Sequence, residues 1–484
     1  MQPVLSKNLL CHGSYIDGVW HNSANSFSVI NPADGLVLHQ LADAGAEQAL
    51  AAITAANNAF PSWSALAAAQ RSELLYNWYQ LLVKHQTDLA IILTAEQGKP
   101  LAEAKTEINY GASYLQWFAE QAKRLDGVTI PAPSADKRII VQRQAVGVVA
   151  AITPWNFPNA MMMRKAAAAL AAGCTFVVKP AQQTPLSALA MAVLAEQAGI
   201  PKGVFNVVVG TDAKAIGEIL TTDKRVAKFS FTGSTAVGKT LAAQCAKGIK
   251  RVTMELGGNA PFIVFADADL DAAVQGLMVA KFRNAGQTCV CANRVLVQSS
   301  IYPAFAAKLI TAVKALRVGS GFNLDSDIGP LISEQALQKV EKLVNSAIEQ
   351  GAKVEFGGQR HTVGEQFYMP TILSQVTPDM AISQQEIFGP VVALQQFTDE
   401  DEAIQLANAT EYGLAAYFYS RDIGRVFRVG QALQFGMLGI NEAAISNAAA
   451  PFGGIKHSGY GREGSQYGLD DYTDIKYLCL GGLE

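Results

Sequence analysis

A cysteine stands at position 289 of a 484-residue chain, behind a Gly286-Gln287-Thr288 turn and two residues ahead of a second thiol, Cys291. A sulfur on such a turn can face a cavity, and a nearby charge or helix end can favour the thiolate, the nucleophilic form. The competing reading is a small buried hydrophobe, as most free cysteines are. Glu255 precedes Gly257-Gly258, where a bending backbone can turn a carboxylate inward as a base for water; otherwise it is a solvated strand end. Asn156, between Pro154 and Pro158, can offer its amide to a developing oxyanion or simply serve a turn. A different chemistry competes. Gly233 to Thr240 (GSTAVGKT) matches the phosphate-binding pattern G-x-x-x-x-G-K-[ST], and Phe262–Asp267 could pass for a magnesium-binding strand. Under either reading, a glycine-led helix N-terminus there suits a pyrophosphate.

These residues need a scaffold, and the composition allows a large one. Half the residues are hydrophobic and 16% are charged, which excludes a disordered or fibrous chain. The net charge of −3 gives no case for nucleic acid or an anionic membrane. Six cysteines are too few, in so long a chain, for a secreted disulfide scaffold. Residues Met1–Ile16 lack the basic-then-apolar order of a leader peptide. The uncharged run Gln144–Met163 is about long enough to cross a bilayer, but Pro154, Asn156, Pro158 and Asn159 would break such a helix. It reads as a buried strand running into a loop, in a soluble, cytoplasmic protein.

The periodicity predicts short strands over residues 14–41, then helices over 46–60, 71–97 and 101–125 and a strand over 138–142. From Ala145 apolar strands (146–152, 175–178, 205–209, 228–231) alternate with helices (165–172, 187–197, 213–220, 237–247). That alternation argues a doubly wound parallel sheet, with ligands at the strand C-termini. A second such series is expected from Arg251 to Phe435, with strands at 262–264, 294–298, 391–396 and 415–419, and a last strand over 472–480.

Seven motifs then occur in a telling order: Pro154-Trp155-Asn156-Phe157-Pro158, Lys179-Pro180-Ala181, Phe231-Thr232-Gly233-Ser234, Glu255-Leu256-Gly257-Gly258, Gly286-Gln287-Thr288-Cys289, Glu386-Ile387-Phe388-Gly389-Pro390 and Pro451-Phe452-Gly453-Gly454. Together they resemble the aldehyde dehydrogenase superfamily over essentially the whole chain. The resemblance implies an α/β protein with a Rossmann-like coenzyme domain (1–125 and 144–254), an α/β catalytic domain (255–460) and a small β oligomerisation arm (126–143 and 461–484). The arm would extend a neighbouring subunit's sheet in a homodimer or homotetramer.

The same resemblance assigns roles. Cys289 would form a thiohemiacetal and then a thioester, Asn156 would stabilise the oxyanion, and Glu255 would activate water for hydrolysis. Trp155, Leu256, Gly233 and Ser234 would line the coenzyme site, Glu386 would hold the nicotinamide ribose with Phe388 packed nearby, and Lys179 would meet the adenosine ribose. Gln182 stands where NAD-preferring relatives often carry a glutamate, so NADP is expected to be preferred, with NAD possible. No metal is implied.

Met161-Met162-Met163-Arg164-Lys165, Lys281-Phe282-Arg283-Asn284 and Ile445-Ser446-Asn447 look like the succinate-semialdehyde dehydrogenase branch. There Arg164 and Arg283 would clamp the substrate's distal carboxylate, with Ser446 in the substrate loop. The expected substrate is a small dicarboxylic semialdehyde, succinate semialdehyde first and glutarate semialdehyde as the alternative. Two features stand outside that pattern. Glu442 puts a carboxylate near the expected mouth, and Cys291 offers Cys289 a partner for a reversible, regulatory disulfide.

Overall fold

The computed structural model describes residues 5–483, so the first four residues of the stretch weighed as a leader lie outside it. Among the described residues no helix is long and apolar enough to cross a membrane. Valine- and alanine-rich runs build the first large sheet. Thr175–Lys179 is buried throughout and Val148–Ile152 almost so, as strands covered on both faces must be. Five parallel strands lie in the order Arg251–Glu255, Val226–Thr232, Val148–Ile152, Thr175–Lys179, Phe205–Val207. Gly459–Tyr460 closes one edge antiparallel, and the hairpin Ser14–Ile16 with Val19–His21 closes the other. Register sets the strand ends level. Ile152 stands opposite both Lys179 and Phe231, and Thr232 opposite Glu255, so the segments that follow share one rim.

The second sheet has seven strands in the order Lys353–Phe356, Thr371–Ser374, Val391–Phe397, Ala292–Gln298, Ala260–Val264, Ala415–Tyr419, Met437–Ile440, parallel apart from the first. A third, antiparallel sheet pairs Thr473–Leu480 with Arg138–Ala145 over eight residues, and Arg138–Ala145 with Val128–Ile130. Val128, Ile130, Ile475 and Tyr477 are exposed on it.

One helix pair bears on the site. Leu101–Gln121 packs along Pro158–Ala172, and Gly111 permits the close approach, since a Cβ there would lie 2.1 Å from Asn159 Oδ1. Trp78, Phe176 and Phe205 fill the core beneath, with Trp78 edge-on to Phe205.

Three expectations need correction. The run Gln144–Met163 does not end in a loop. Pro158 opens a helix at its first position, where the missing N–H is no loss. The helix expected over 71–97 is two, Ala68–Lys84 and Gln86–Gln97, split at His85, because the apolar spacing carries on across a one-residue break. The strand Arg251–Glu255, expected to begin the second series, belongs to the first sheet. Lys353–Phe356, Thr371–Ser374 and Met437–Ile440 are strands that sequence periodicity missed.

Candidate active site

The C-terminal ends of the first sheet's strands face the N-terminal ends of the second sheet's. Pro154–Phe157 follows Val148–Ile152, Gly233-Ser234 follows Val226–Thr232, and Leu256-Gly257 follows Arg251–Glu255. Opposite them, Thr288–Val290 leads into Ala292–Gln298, and Glu386–Phe388 into Val391–Phe397. Between the two rims lies a cavity of about 570 Å³. It gathers Cys289, Asn156, Trp155, Gly233, Ser234, Leu256, Glu386, Phe388, Arg164, Arg283 and Ser446 from the residues singled out in the sequence. Glu255, Lys179, Gln182 and Cys291 are not on its wall.

The Cys289 loop is forced into an unusual backbone. Helix Leu270–Phe282 ends, and Asn284, Ala285 and Gly286 then take positive φ in succession (52°, 53° and 76°), a conformation that costs energy for residues other than glycine. Gln287 holds the turn: its Nε2 donates to the Asn284 and Pro330 carbonyls, and its Oε1 accepts from the Ile332 N–H at 3.0 Å. Asn156 Nδ2 donates to the Gln287 carbonyl at 3.0 Å, tying the loop of one sheet to the loop of the other.

Burial pushes the Cys289 thiol up to about 12, with Arg164 pulling the other way and Glu386 and Glu255 adding to the rise. Burial therefore favours the neutral thiol, and the helix that leads to Cys289 turns its C-terminal end toward it, which does not stabilise an anion. Cys291 turns its buried Sγ toward the Lys281 carbonyl at 3.6 Å, and every cysteine among the described residues is unpaired.

Glu255 is buried with neither carboxylate oxygen hydrogen-bonded. Burial, then Glu463, raises it well above the carboxylate range, while Arg164 and Lys165 oppose the shift. Glu463 goes the other way. Although burial works against its charge, Lys165 and Arg164 hold it below the usual range. Lys165 Nζ bonds Glu463 Oε1, and Arg164 Nε lies 3.0 Å from Oε2. Arg164 also stacks over Phe452 at 3.7 Å and stays cationic, because burial is outweighed by Tyr114, Tyr110, Glu463 and Glu255. Arg283 differs from it. Among the described residues it has no ion-pair partner, and its guanidinium lies 5.3 Å over the Phe157 ring.

At the other end, Ser234 caps helix Thr235–Ala246 by accepting from the Val237 N–H at 3.4 Å. Burial raises Glu386 to about 7, and it accepts from the Gly258 N–H at 3.1 Å. Trp155 and Phe388 meet edge to face at 5.6 Å. An open helix start for a pyrophosphate, a carboxylate for a diol and an aromatic slot together fit a dinucleotide. Burial lowers Lys179 to about 8 against the pull of Asp43 and Asp212, and Gln182 is exposed.

The phosphate-loop alternative fails on geometry. The helix begins at Thr235, so Lys239 sits exposed in its second turn instead of at the end of a loop. Gly238 is there for packing: a Cβ would lie 2.4 Å from Leu256 Cδ2. Asp267, the would-be magnesium ligand, is consumed by Arg425, Ser420 and the Arg421 N–H. Glu442 also leaves the site. It is exposed, and its Oε1 accepts from the Ala443 and Ala444 N–H groups at 2.7 Å. The sequence reading missed Tyr110, Gln183, Ser333, Gln335, Ala336 and Lys339 on the wall, none of which carries a local signal, and it missed Glu463 as the partner of Arg164.

The sequence pattern of the aldehyde dehydrogenase family matches residues 20–478. The chain belongs to the aldehyde dehydrogenase family. It is 57% identical over 479 residues to a 3-sulfolactaldehyde dehydrogenase of Pseudomonas putida, spanning 99% of this chain and 98% of the relative. It is 56% identical over 476 residues to an NADP-dependent succinate-semialdehyde dehydrogenase of Escherichia coli K12, spanning 98% of each. A crystal structure of an Escherichia coli NADP-dependent enzyme superposes with a TM-score of 0.97 at 56% identity, covering 98% of this chain and 99% of the other. The architecture is thus the aldehyde dehydrogenase fold, a Rossmann-like sheet facing a catalytic one, and the activity is that of an aldehyde dehydrogenase.

Two measurements test this geometry. Gly286→Ala places a Cβ 2.2 Å from the Gly389 carbonyl at a positive φ and is expected to lower stability by about 1–3 kcal/mol in denaturant titration and to reduce turnover. Alkylation of Cys289 by iodoacetamide in the coenzyme-free protein should accelerate about tenfold per pH unit up to at least pH 9. A plateau below pH 8 would show a thiol that ionises earlier than its burial dictates.

Proposed function

We propose that this aldehyde dehydrogenase oxidises a short semialdehyde bearing a distal anionic group, succinate semialdehyde first and glutarate semialdehyde second, to the corresponding acid with NADP or NAD. The observation that carries the reading is Arg283, a cation lining the same cavity as Cys289 and Asn156 and without an ion-pair partner among the described residues. An unpaired guanidinium in a partly closed cavity is a site for a carboxylate. Arg164, also lining the cavity, supports it, its charge already shared with Glu463. The two relatives named above, acting on a carboxylate- and a sulfonate-bearing aldehyde, agree with an anion at that end. The neutral amide at Gln182 and the nearby Lys179 favour NADP.

In the reaction, Cys289 gives its proton to solvent water entering the cavity as its sulfur bonds to the aldehyde carbon and the C=O π electrons move to oxygen. The Asn156 amide and the Cys289 backbone N–H donate to the oxygen that becomes anionic. The coenzyme, when bound, supplies the hydride acceptor, and a thioester on Cys289 results. Glu255, held above the normal range by burial, is a stronger base once ionised than an exposed carboxylate, which suits removal of a proton from the hydrolytic water. Its neighbours Leu256 and Gly257 border the cavity, its carboxylate holds no hydrogen bond, and the role requires its side chain to turn toward the cavity. The exposed small sheet would pair with a second subunit to give a homodimer or homotetramer.

Arg283→Ala should cost about 10–150-fold in kcat/KM for succinate semialdehyde, because charged hydrogen bonds contribute roughly 1.5–3 kcal/mol. It should barely change the rate with an uncharged aldehyde, and equal losses for both would remove the anion clamp. Glu255→Gln should slow thioester hydrolysis and leave a pre-steady-state burst of reduced coenzyme. Steady-state turnover equal to that of the unaltered protein would exclude Glu255 as the base.

A further inference from the structure

Three charged side chains lie behind the site without reaching its wall. Lys99 and Glu107 form an ion pair at 2.5 Å, with side chains 0% and 1% exposed. Exchanging such a pair for apolar residues of similar volume is often neutral or stabilising, so stability alone does not account for it. What the pair touches does. Lys99 Nζ also donates to the Asn156 carbonyl at 2.7 Å and lies 3.8 Å over the Phe157 ring. Glu107 Oε1 accepts from the Asn159 N–H at 3.0 Å and the Ala160 N–H at 3.3 Å, in the first turn of helix Pro158–Ala172. One turn back on the same helix as Glu107, Glu103 accepts from the Asn284 N–H at 2.8 Å, in the left-handed turn before Cys289. Asn284 Nδ2 in turn donates to the Asn156 carbonyl at 3.0 Å.

We infer that Lys99, Glu103 and Glu107 are positioning residues that set the Asn156 amide against the Cys289 loop. The inference rests on the reading of Asn156 as an oxyanion donor. Helix Leu101–Gln121 acts as a fixed bar, with two carboxylates a turn apart, one holding each loop. The spacing between the loops is then that of a helical turn, about 5.4 Å along the axis. Lys99 is the shared cation between them, and burial makes each of these bonds strong and costly to lose. Glu96 is the natural control. It is equally buried and accepts from the Leu186 and Ser187 N–H groups at 2.7 and 2.8 Å, at the start of a helix that does not border the cavity.

The test is a set of double-mutant cycles on the rate of coenzyme reduction in single turnovers, with coenzyme Kd and far-ultraviolet circular dichroism measured alongside. Asn156→Ala alone should slow reduction about 10²–10³-fold. Lys99→Met should slow it about 10–100-fold with coenzyme Kd unchanged, yet by less than about threefold when Asn156 is already Ala. Glu107→Gln, isosteric and gentler on folding, must turn its amide nitrogen toward either the Lys99 ammonium or the Asn159 N–H, and should couple to Asn156→Ala in the same way. Glu96→Gln should have the same effect in both backgrounds. If Lys99→Met and Glu107→Gln slow the reaction equally with and without the Asn156 amide, or leave it unchanged in both, the positioning role is overturned. If Asn156→Ala itself has no effect, the oxyanion reading falls first and this inference goes with it.

Discussion

One hydrogen bond, from Asn156 Nδ2 to the Gln287 carbonyl, joins the rims of two sheets that fold from different stretches of chain. In the proposed reaction the nucleophile Cys289 belongs to one rim and the oxyanion donor Asn156 to the other, so the chemistry depends on a distance that neither sheet controls alone. The parallel register makes this workable. It brings strand ends level, so the loops after one sheet and before the other meet along a line instead of at a point. Active sites tolerate errors of only about half an ångström, and the strained turn at Asn284–Gly286 is kept only because surrounding bonds over-determine it.

The electrostatics of the resting cavity are restrained. Burial favours the protonated Cys289 thiol, Glu255 is held above the normal carboxylate range, and in the buried Arg164–Glu463–Lys165 cluster one carboxylate is shared by two cations. At both Cys289 and Glu255 burial works toward the neutral form. A neutral resting thiol also resists adventitious oxidation, which proceeds through the thiolate. Arg283 is the exception, a cation near the Phe157 ring that leaves room for a substrate anion.

Much of this was legible in the sequence, for identifiable reasons. The alternation of apolar strands and helices after Ala145 comes from a parallel sheet buried on both faces, and it located four strands of the first sheet to within two residues at each end. Motifs built on glycine and proline marked every rim loop, because tight turns restrict which residues fit. Other features were hidden. Lys353–Phe356 lies on a sheet edge with exposed positions and lacks the apolar run of a central strand. The break at His85 leaves helical spacing intact on both sides. Glu103, Glu107 and Glu463 read as ordinary charges on helices or loops; only the fold brings them beside Asn284, Asn159 and Arg164. The balance at Cys289 was hidden too, because sequence does not show that burial outweighs the pull of Arg164 on its thiol.

The loop around Glu442 has a further meaning. Between Phe388 and Phe452 only Ser446 borders the cavity, while Glu442 spends its carboxylate on its own backbone. One patch of the cavity wall thus comes from a stretch of polypeptide far from Cys289, while Arg283 sits only six residues before it. A change of length or polarity confined to the loop around Glu442 would reshape one patch of the wall and leave the Asn156–Gln287 tie beneath it in place.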